Sequence, residues 1–210
     1  MKDKKMGVAR LVYGFGINDA DYVTRKVETI EVNGVRKQKL VWTCPYYRVW
    51  VNMLERCYSA KFQEKRPTYK GCSVSGEWLR FSNFKRWMED QDWEGMQLDK
   101  DLLLEGNKVY SKETCVFVTS VVNSFTSDCR ASRGEWLIGV CWNKKNGKFV
   151  SRCCNPFTKK NEYLGLFDCE LEAHQTWLNR KLELSHLLAE EQTDSRVAKA
   201  LISRYTNYIN

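Results

Sequence analysis

The residues best suited to chemistry lie in LDKDLLLEGNKVYSKETC, Leu98 to Cys115, and in the helix-like FVTSVVNSF that follows. The first stretch reads as two short strands around a Gly106-Asn107 turn, with Asp99, Lys100 and Asp101 at its start and Asn123 on the helix behind it. Carboxylate and amide oxygens are hard ligands that suit Mg²⁺, and a divalent cation beside a phosphodiester stabilises the charge that develops as the bond breaks. Such sites usually add a histidine as general base, and this stretch has none. Lys100 cannot substitute in that role, because an amine with an ordinary pKa of ~10.4 is protonated at neutral pH. Burial beside cations would lower that value, whereas Asp99 and Asp101 would raise it.

Several elements must hold these residues in place. Residues 22–42 predict a β-hairpin, with Val23, Val27 and Ile30 leading into Asn33-Gly34, a pair that accepts the positive φ angles of a tight turn. Residues 46–58 switch to helical spacing, with Tyr46, Val49, Trp50, Met53, Leu54 and Cys57 on one face. A short strand is expected around Cys72–Val74, then a helix from Glu77 to Asp90 whose stripe is Trp78, Phe81, Phe84, Trp87 and Met88. That spacing makes the aromatic stripe a buried helix face rather than a base-stacking platform.

The polar stretch 126–136 reads as a linker. Beyond it, WLIGVCWN, GKFVSRCC and EYLGLFD are strand-like runs separated by Lys/Asn/Gly turns. Asp168 is placed to cap a long amphipathic helix marked by Leu171, Ala173, Trp177, Leu178, Leu182, Leu184 and Leu188, and residues 195–209 predict a last short helix. The fold class expected is α+β in two modules, 1–128 and 134–210. Three antiparallel strands backed by one helix leave the other sheet face open. Arg133, Lys144, Lys145, Lys148, Arg152, Lys159 and Lys160 face only Glu135 and Glu162 in that region, interleaved with Trp142, Phe149 and Tyr163. A ribbon of this kind fits the DNA major groove.

Composition agrees. The 210 residues carry 34 Lys and Arg against 26 Asp and Glu, a formal charge of +8, which favours a nucleic-acid partner. Nine cysteines without a C-x-x-C pair suggest buried thiols in a reducing, intracellular setting. Cys57, Cys72 and Cys115 lack the spacing of a structural zinc site. No apolar run approaches the ~20 residues of a membrane span, and the charged N-terminus predicts no export. His174 and His186, twelve residues apart on the last long helix, read as ordinary helix residues.

IGVCWNKKNGKFVSRCC and NEYLGLFDCELEAHQTW resemble the DNA-binding domain of plant ethylene-response factors, through Gly139-Val140, Gly147-Lys148-Phe149, Leu164-Gly165, Phe167, Ala173 and Trp177. The resemblance implies a three-stranded sheet laid in the major groove of double-stranded DNA, with Arg133, Trp142, Lys144, Lys145, Lys148, Arg152 and Tyr163 as contacts. Cys141, Arg152 and Tyr163 depart from the family's usual arginine, glutamate and tryptophan, so the target sequence does not carry over. Residues 46–123 are similar to phage-encoded proteins of the HNH homing-endonuclease type, which often carry such a domain behind the nuclease. That resemblance implies Mg²⁺ or another divalent metal held by Asp99 and Asn123, with Lys100 and Asp101 beside the reacting phosphate, and a host bacterial cytoplasm as the setting. Lys100 stands where that family has its histidine, and Thr114 where an orienting asparagine often stands. Three readings stay open: a metal-driven nicking site, a disabled site on a protein that acts by binding DNA or a host protein, and a surface turn capped by Asp99.

Overall fold

The structure is a computed structural model and describes residues 11–127 and 134–206. It is a mixed α+β protein with three two-stranded sheets and one three-stranded antiparallel sheet among the described residues. By packing, the chain forms two compact units, one comprising 1–94 and 106–115, the other 95–105 and 116–210. The units therefore interleave along the sequence, and the segments carrying Asp99 and Asn123 belong with the C-terminal sheet and helices.

In the first unit, β1 (Arg25–Val32) and β2 (Val35–Thr43) form the expected hairpin. Asn33 and Gly34 turn at φ 53° and 75°, the backbone that a right-twisted two-residue turn requires. α1 (Pro45–Tyr58) buries Tyr47, Trp50, Met53, Leu54 and Cys57. The inward tyrosine is Tyr47 rather than Tyr46, because Tyr47 meets Phe81 edge-on at 5.2 Å whereas Tyr46 lies against Trp93. α2 (Ala60–Lys65) follows, and β3 (Ser73–Val74) pairs in parallel with β5 (Val109–Tyr110).

The helix expected over 77–90 is broken. A 3₁₀ turn spans Gly76–Leu79, and α3 runs from Phe81 to Glu89. The cause lies upstream. Ile17 donates its N–H to Leu79 and accepts from Phe81, taking backbone groups that a continuous helix would pair internally. Asp19 accepts from the Ser82 N–H and hydroxyl, at 2.9 and 2.7 Å, and so anchors the first turn of α3. Trp50, Trp78, Phe81, Phe84 and Met88 are almost wholly buried, with the Trp50 Nε1 donating to the Trp78 carbonyl at 2.7 Å. Cys57, Cys72 and Cys115 are buried thiols, as their spacing suggests.

The second unit contains β4 (Gln97–Asp99), β6 (Val116–Val118) and α4 (Ser120–Thr126), then β7 (Val140–Asn143), β8 (Lys148–Cys154), β9 (Asn161–Phe167), α5 (Glu170–Glu190) and α6 (Ser195–Thr206). The two strands expected around Gly106-Asn107 do not pair with each other. β4 pairs antiparallel with β6, and β5 turns to β3. One core joins the pieces: Val116, Val118, Val122 and Phe125 pack in the same cluster as Cys153, Trp177, Leu178, Leu184, Leu188, Leu201 and Tyr205. Burying each such aliphatic side chain stabilises by roughly 1.5–3 kcal/mol. The Lys181 ammonium, buried in this region, donates to the Phe125 carbonyl at 2.6 Å and lies 3.5 Å from the Phe125 ring centre.

α5 starts at Glu170 behind Cys169, and Asp168 does not cap it; Asp168 accepts from the Lys148 ammonium at 3.1 Å instead. Leu171, expected on the buried stripe, is 68% exposed because it lies on the solvent side of the first turn. No described helix is long and apolar enough to cross a membrane. The central part of the expected linker, Arg133 included, and residues 207–209 of the last expected helix lie outside the described residues.

Candidate nucleic-acid interface and acidic strand end

The two faces of the three-stranded sheet can be told apart by register. Cys153 sits opposite Glu162, and Glu162 accepts from Arg180 of α5 at 2.8 and 3.1 Å, so these positions face the helix. Alternation along β8 and β7 puts Ser151, Phe149, Val140 and Trp142 on the same side. Trp142 accordingly meets Phe149 edge-on and lies tilted against Trp136, ring centres 4.8 and 6.2 Å away, on the side away from Arg152, and is itself 39% exposed.

The face opposite the helix presents Cys141, Lys148, Arg152, Cys154, Tyr163 and Leu166 around Val150, which is itself buried. Arg152 and Tyr163 are directly opposed across β8 and β9, and both are exposed. Lys144 and Lys145 occupy the exposed turn between β7 and β8, where the Asn143 side chain accepts from the Lys145 N–H at 3.0 Å. Lys148 on β8 is engaged by the Asp168 carboxylate at 3.1 Å. The only acid within the strands, Glu162, points away to the helix. Asn155 shapes the second turn by accepting from the N–H groups of Phe157 and Thr158, and its amide donates to Glu162 at 2.7 Å.

The Arg180 guanidinium beside Glu162, reinforced by the Asn155 amide, holds the Glu162 carboxyl down to about 2. A carboxyl depressed on folding gives stability that is complete above its ordinary pKa of ~4.3 and is lost as pH falls toward the native value. The Glu162→Gln variant should therefore lose less stability than the parent between about pH 4.5 and 2, and urea midpoints measured across that range would show it. Equal acid sensitivity in both proteins would refute the pairing.

The second candidate cluster is at the end of β4. Asp99 Oδ1 accepts from the N–H groups of Asp101 and Leu102, at 3.0 and 2.7 Å, which folds the chain into a tight turn. Burial pushes the Asp99 carboxyl above the usual carboxylate range and the Asp101 charge adds to this; the two backbone donors and Lys100 pull the other way. Lys100 is 6% exposed, and its ammonium lies 3.2 Å from Asp101 Oδ2. Lys100 would reach a phosphate only by leaving that buried position. Asn123 donates through Nδ2 to Gln97 Oε1 at 2.5 Å. Gln97 and Asp99 alternate on one strand and share a face, so this bond brings α4 to the face of β4 that bears Asp99.

Thr114 lies in the first unit, where its hydroxyl donates to the Val109 carbonyl at 2.9 Å and closes the turn from Ser111. His174 packs parallel to Trp177 with Nδ1 2.8 Å from the Ile138 carbonyl oxygen, and His186 is exposed on α5. Sequence reasoning missed Gln97, although its place two residues before Asp99 was a usable signal. It also missed Trp136, whose stacking on Trp142 has no local signature.

Among the described residues no three His, Cys, Asp or Glu side chains gather as a metal-binding group. The oxygens near the end of β4 are two carboxylates and two amides, from Asp99, Asp101, Gln97 and Asn123. Such a sparse, hard set suits Mg²⁺, which keeps several waters and binds through one or two carboxylates plus substrate phosphate. Comparison of the chain with protein-family models, with curated proteins and with solved structures gives no match.

Proposed function

We propose that this protein binds double-stranded DNA through the open face of the β7–β9 sheet, as its resemblance to ethylene-response-factor domains implies. The observation that carries the reading is the sorting of charge: Arg152, Tyr163 and the turn lysines 144 and 145 are exposed, while Glu162 is turned to the helix. Phosphate contacts from these cations supply affinity, and the ribbon's width matches the major groove. The testing experiment is a duplex titration as a function of salt, with and without Mg²⁺. Binding that needs no metal and weakens steeply with salt supports the reading; absence of binding at low salt ends it.

A second reading, the HNH-type nicking enzyme, is favoured by the bond that brings Asn123 alongside the Asp99 strand. Asp99 and Asn123 would hold Mg²⁺, which supplies stabilisation of the developing phosphate charge. Around it the chain's own residues have defined tasks. The backbone donors of 101 and 102 fix the Asp99 carboxylate, Gln97 orients the Asn123 amide, and Asp101 holds Lys100 beside the site. No histidine is present to act as base, and a missing general base typically costs ~10²–10⁴-fold. Slow nicking of supercoiled plasmid with Mg²⁺ or Mn²⁺ is the expected result. Asp99→Asn is the informative variant, since an amide oxygen still accepts the two N–H bonds but carries no charge for a cation. It should keep the fold and abolish nicking. Failure of the parent protein to nick with any divalent metal leaves the DNA-binding reading alone.

A further inference from the structure

We propose that the β1–β2 hairpin of the first unit is a second duplex-contacting element, a β-ribbon that meets the sugar-phosphate backbone through Lys37 and Lys39 on one face and Arg36 on the other. The inference rests on the DNA-binding reading above and extends it to a unit that the reading does not involve.

The first observation is exposure. Along both strands only Ile30 and Thr43 are half-buried, and every other residue is exposed. The ribbon is rooted where Cys44 donates its N–H to the Thr24 carbonyl at 2.9 Å, with both residues buried. Eight- and nine-residue strands rise ~3.3 Å per residue, so the ribbon extends roughly 25 Å from that root. A lone two-stranded hairpin is marginally stable in water, and a length so much greater than its root requires fits a partner that covers it.

The second observation is how charge is distributed. Residues 25–43 hold five cations, Arg25, Lys26, Arg36, Lys37 and Lys39, against Glu28 and Glu31. Register sets Glu28 opposite Lys39 and Glu31 opposite Arg36, so each carboxylate lies across the ladder from a cation and the surplus is positive. Lys37 lies opposite Ile30, with no charge across from it. Three of the five cations fall within four residues of each other on β2, close to the Asn33-Gly34 tip.

The third observation is facial. Alternation and the register shift next to Val27 put Lys26, Lys37, Lys39 and Trp42 on one face together with Glu28, and Arg36 with Glu31 on the other, with the Lys26 ammonium 5.6 Å from the Trp42 ring centre. A ribbon of two strands is narrow enough for the ~12 Å major groove, and a polyanion is the partner that its net charge selects. A second copy pairing β2 edge to β2 edge would bring Arg36, Lys37 and Lys39 against the same cations of its partner.

The test uses the full chain, a linear duplex of about thirty base pairs of random sequence, and the exposed triple variant Arg36→Gln, Lys37→Gln, Lys39→Gln. Each lost phosphate contact reduces the slope of log K against log salt by about 0.9, so the variant should bind with a slope shallower by about 2–3 and an affinity at ~0.1 M salt lower by roughly 100-fold. In the parent protein, duplex should suppress acetylation of Lys37 and Lys39, a readout independent of any variant's folding. The inference is overturned if the parent binds while the variant keeps its slope and affinity, or if duplex leaves Lys37 and Lys39 equally reactive. It is overturned too if the variant changes only the sedimentation of the chain, which would assign the ribbon to self-association. A parent that binds no duplex removes both readings, whereas loss in the hairpin variant with an unaffected sheet variant removes the sheet reading alone.

Discussion

Replacing Gly139 with alanine should destabilise the second unit by about 2–5 kcal/mol, the sum of a left-handed backbone penalty of ~1–2 and an overpacking penalty of ~1–3. Gly139 has φ +83°, a region that residues with a Cβ avoid. A Cβ there would lie 2.1 Å from both Cγ and Cδ1 of Trp177. Trp177 cannot readily yield, since it is 6% exposed, packs face to face with His174 and belongs to the cluster that joins α4, the sheet, α5 and α6. Gly139 also accepts the Arg152 N–H at 3.0 Å through its carbonyl, so a local shift would disturb the central strand. Urea unfolding should show a lower midpoint for the transition of this unit. Gly134→Ala is the control: a Cβ there meets nothing within 4 Å, and its midpoint should not move. An unchanged midpoint for Gly139→Ala would mean that the glycine does not approach Trp177 in solution.

The second large effect concerns DNA. Changing Lys144, Lys145 and Arg152 together to glutamine should lower duplex affinity roughly 100-fold or more at ~0.1 M salt and make the salt dependence shallower by nearly three. All three are exposed, so stability should be untouched. Tyr163→Ala should likewise weaken binding without unfolding anything, because Tyr163 is 58% exposed and opposes Arg152 on the open face. Trp142→Ala should do the opposite and lower stability, since that ring packs on Phe149 and Trp136. Measuring affinity and thermal midpoint for the three variants separates the faces of the sheet. Equal affinity of the triple variant and the parent would move DNA binding away from this surface.

Much of the local structure was legible in the amino-acid order. The Asn33-Gly34 hairpin, the first helix, the three C-terminal strands and the long helix behind them all follow from period-2 and period-3.6 patterns with turn residues between. The misreadings have identifiable causes. The helix at 77–90 breaks because Ile17, sixty residues upstream, claims the backbone at Leu79 and Phe81. Asp168 has the composition of a cap, but Lys148 engages its carboxylate from across the sheet. The strands flanking Gly106 part company because their partners lie outside the stretch, β6 for β4 and β3 for β5. At the candidate acidic site the sequence singled out Asp99 and Asn123, whose strand and helix the structure links by the bond from Asn123 to Gln97. Lys100 is different: its charge was visible, whereas its burial and its hold on Asp101 were not.

By itself the sequence determined most of the elements, the basic surplus and which residues alternate together on each strand. Those properties depend on side-chain type and spacing over a few residues, and they are written into the chain directly. Only the tertiary structure decided that 95–105 and 116–127 share a core with the C-terminal helices, and that Trp142 packs on Phe149 and Trp136 while Arg152 lies on the other face of the sheet. Alternation says which side chains share a face, but the covered face is chosen by what packs on it, here Arg180 on Glu162 and Trp177 beneath Gly139. Such partners lie tens of residues away, and no local period encodes them.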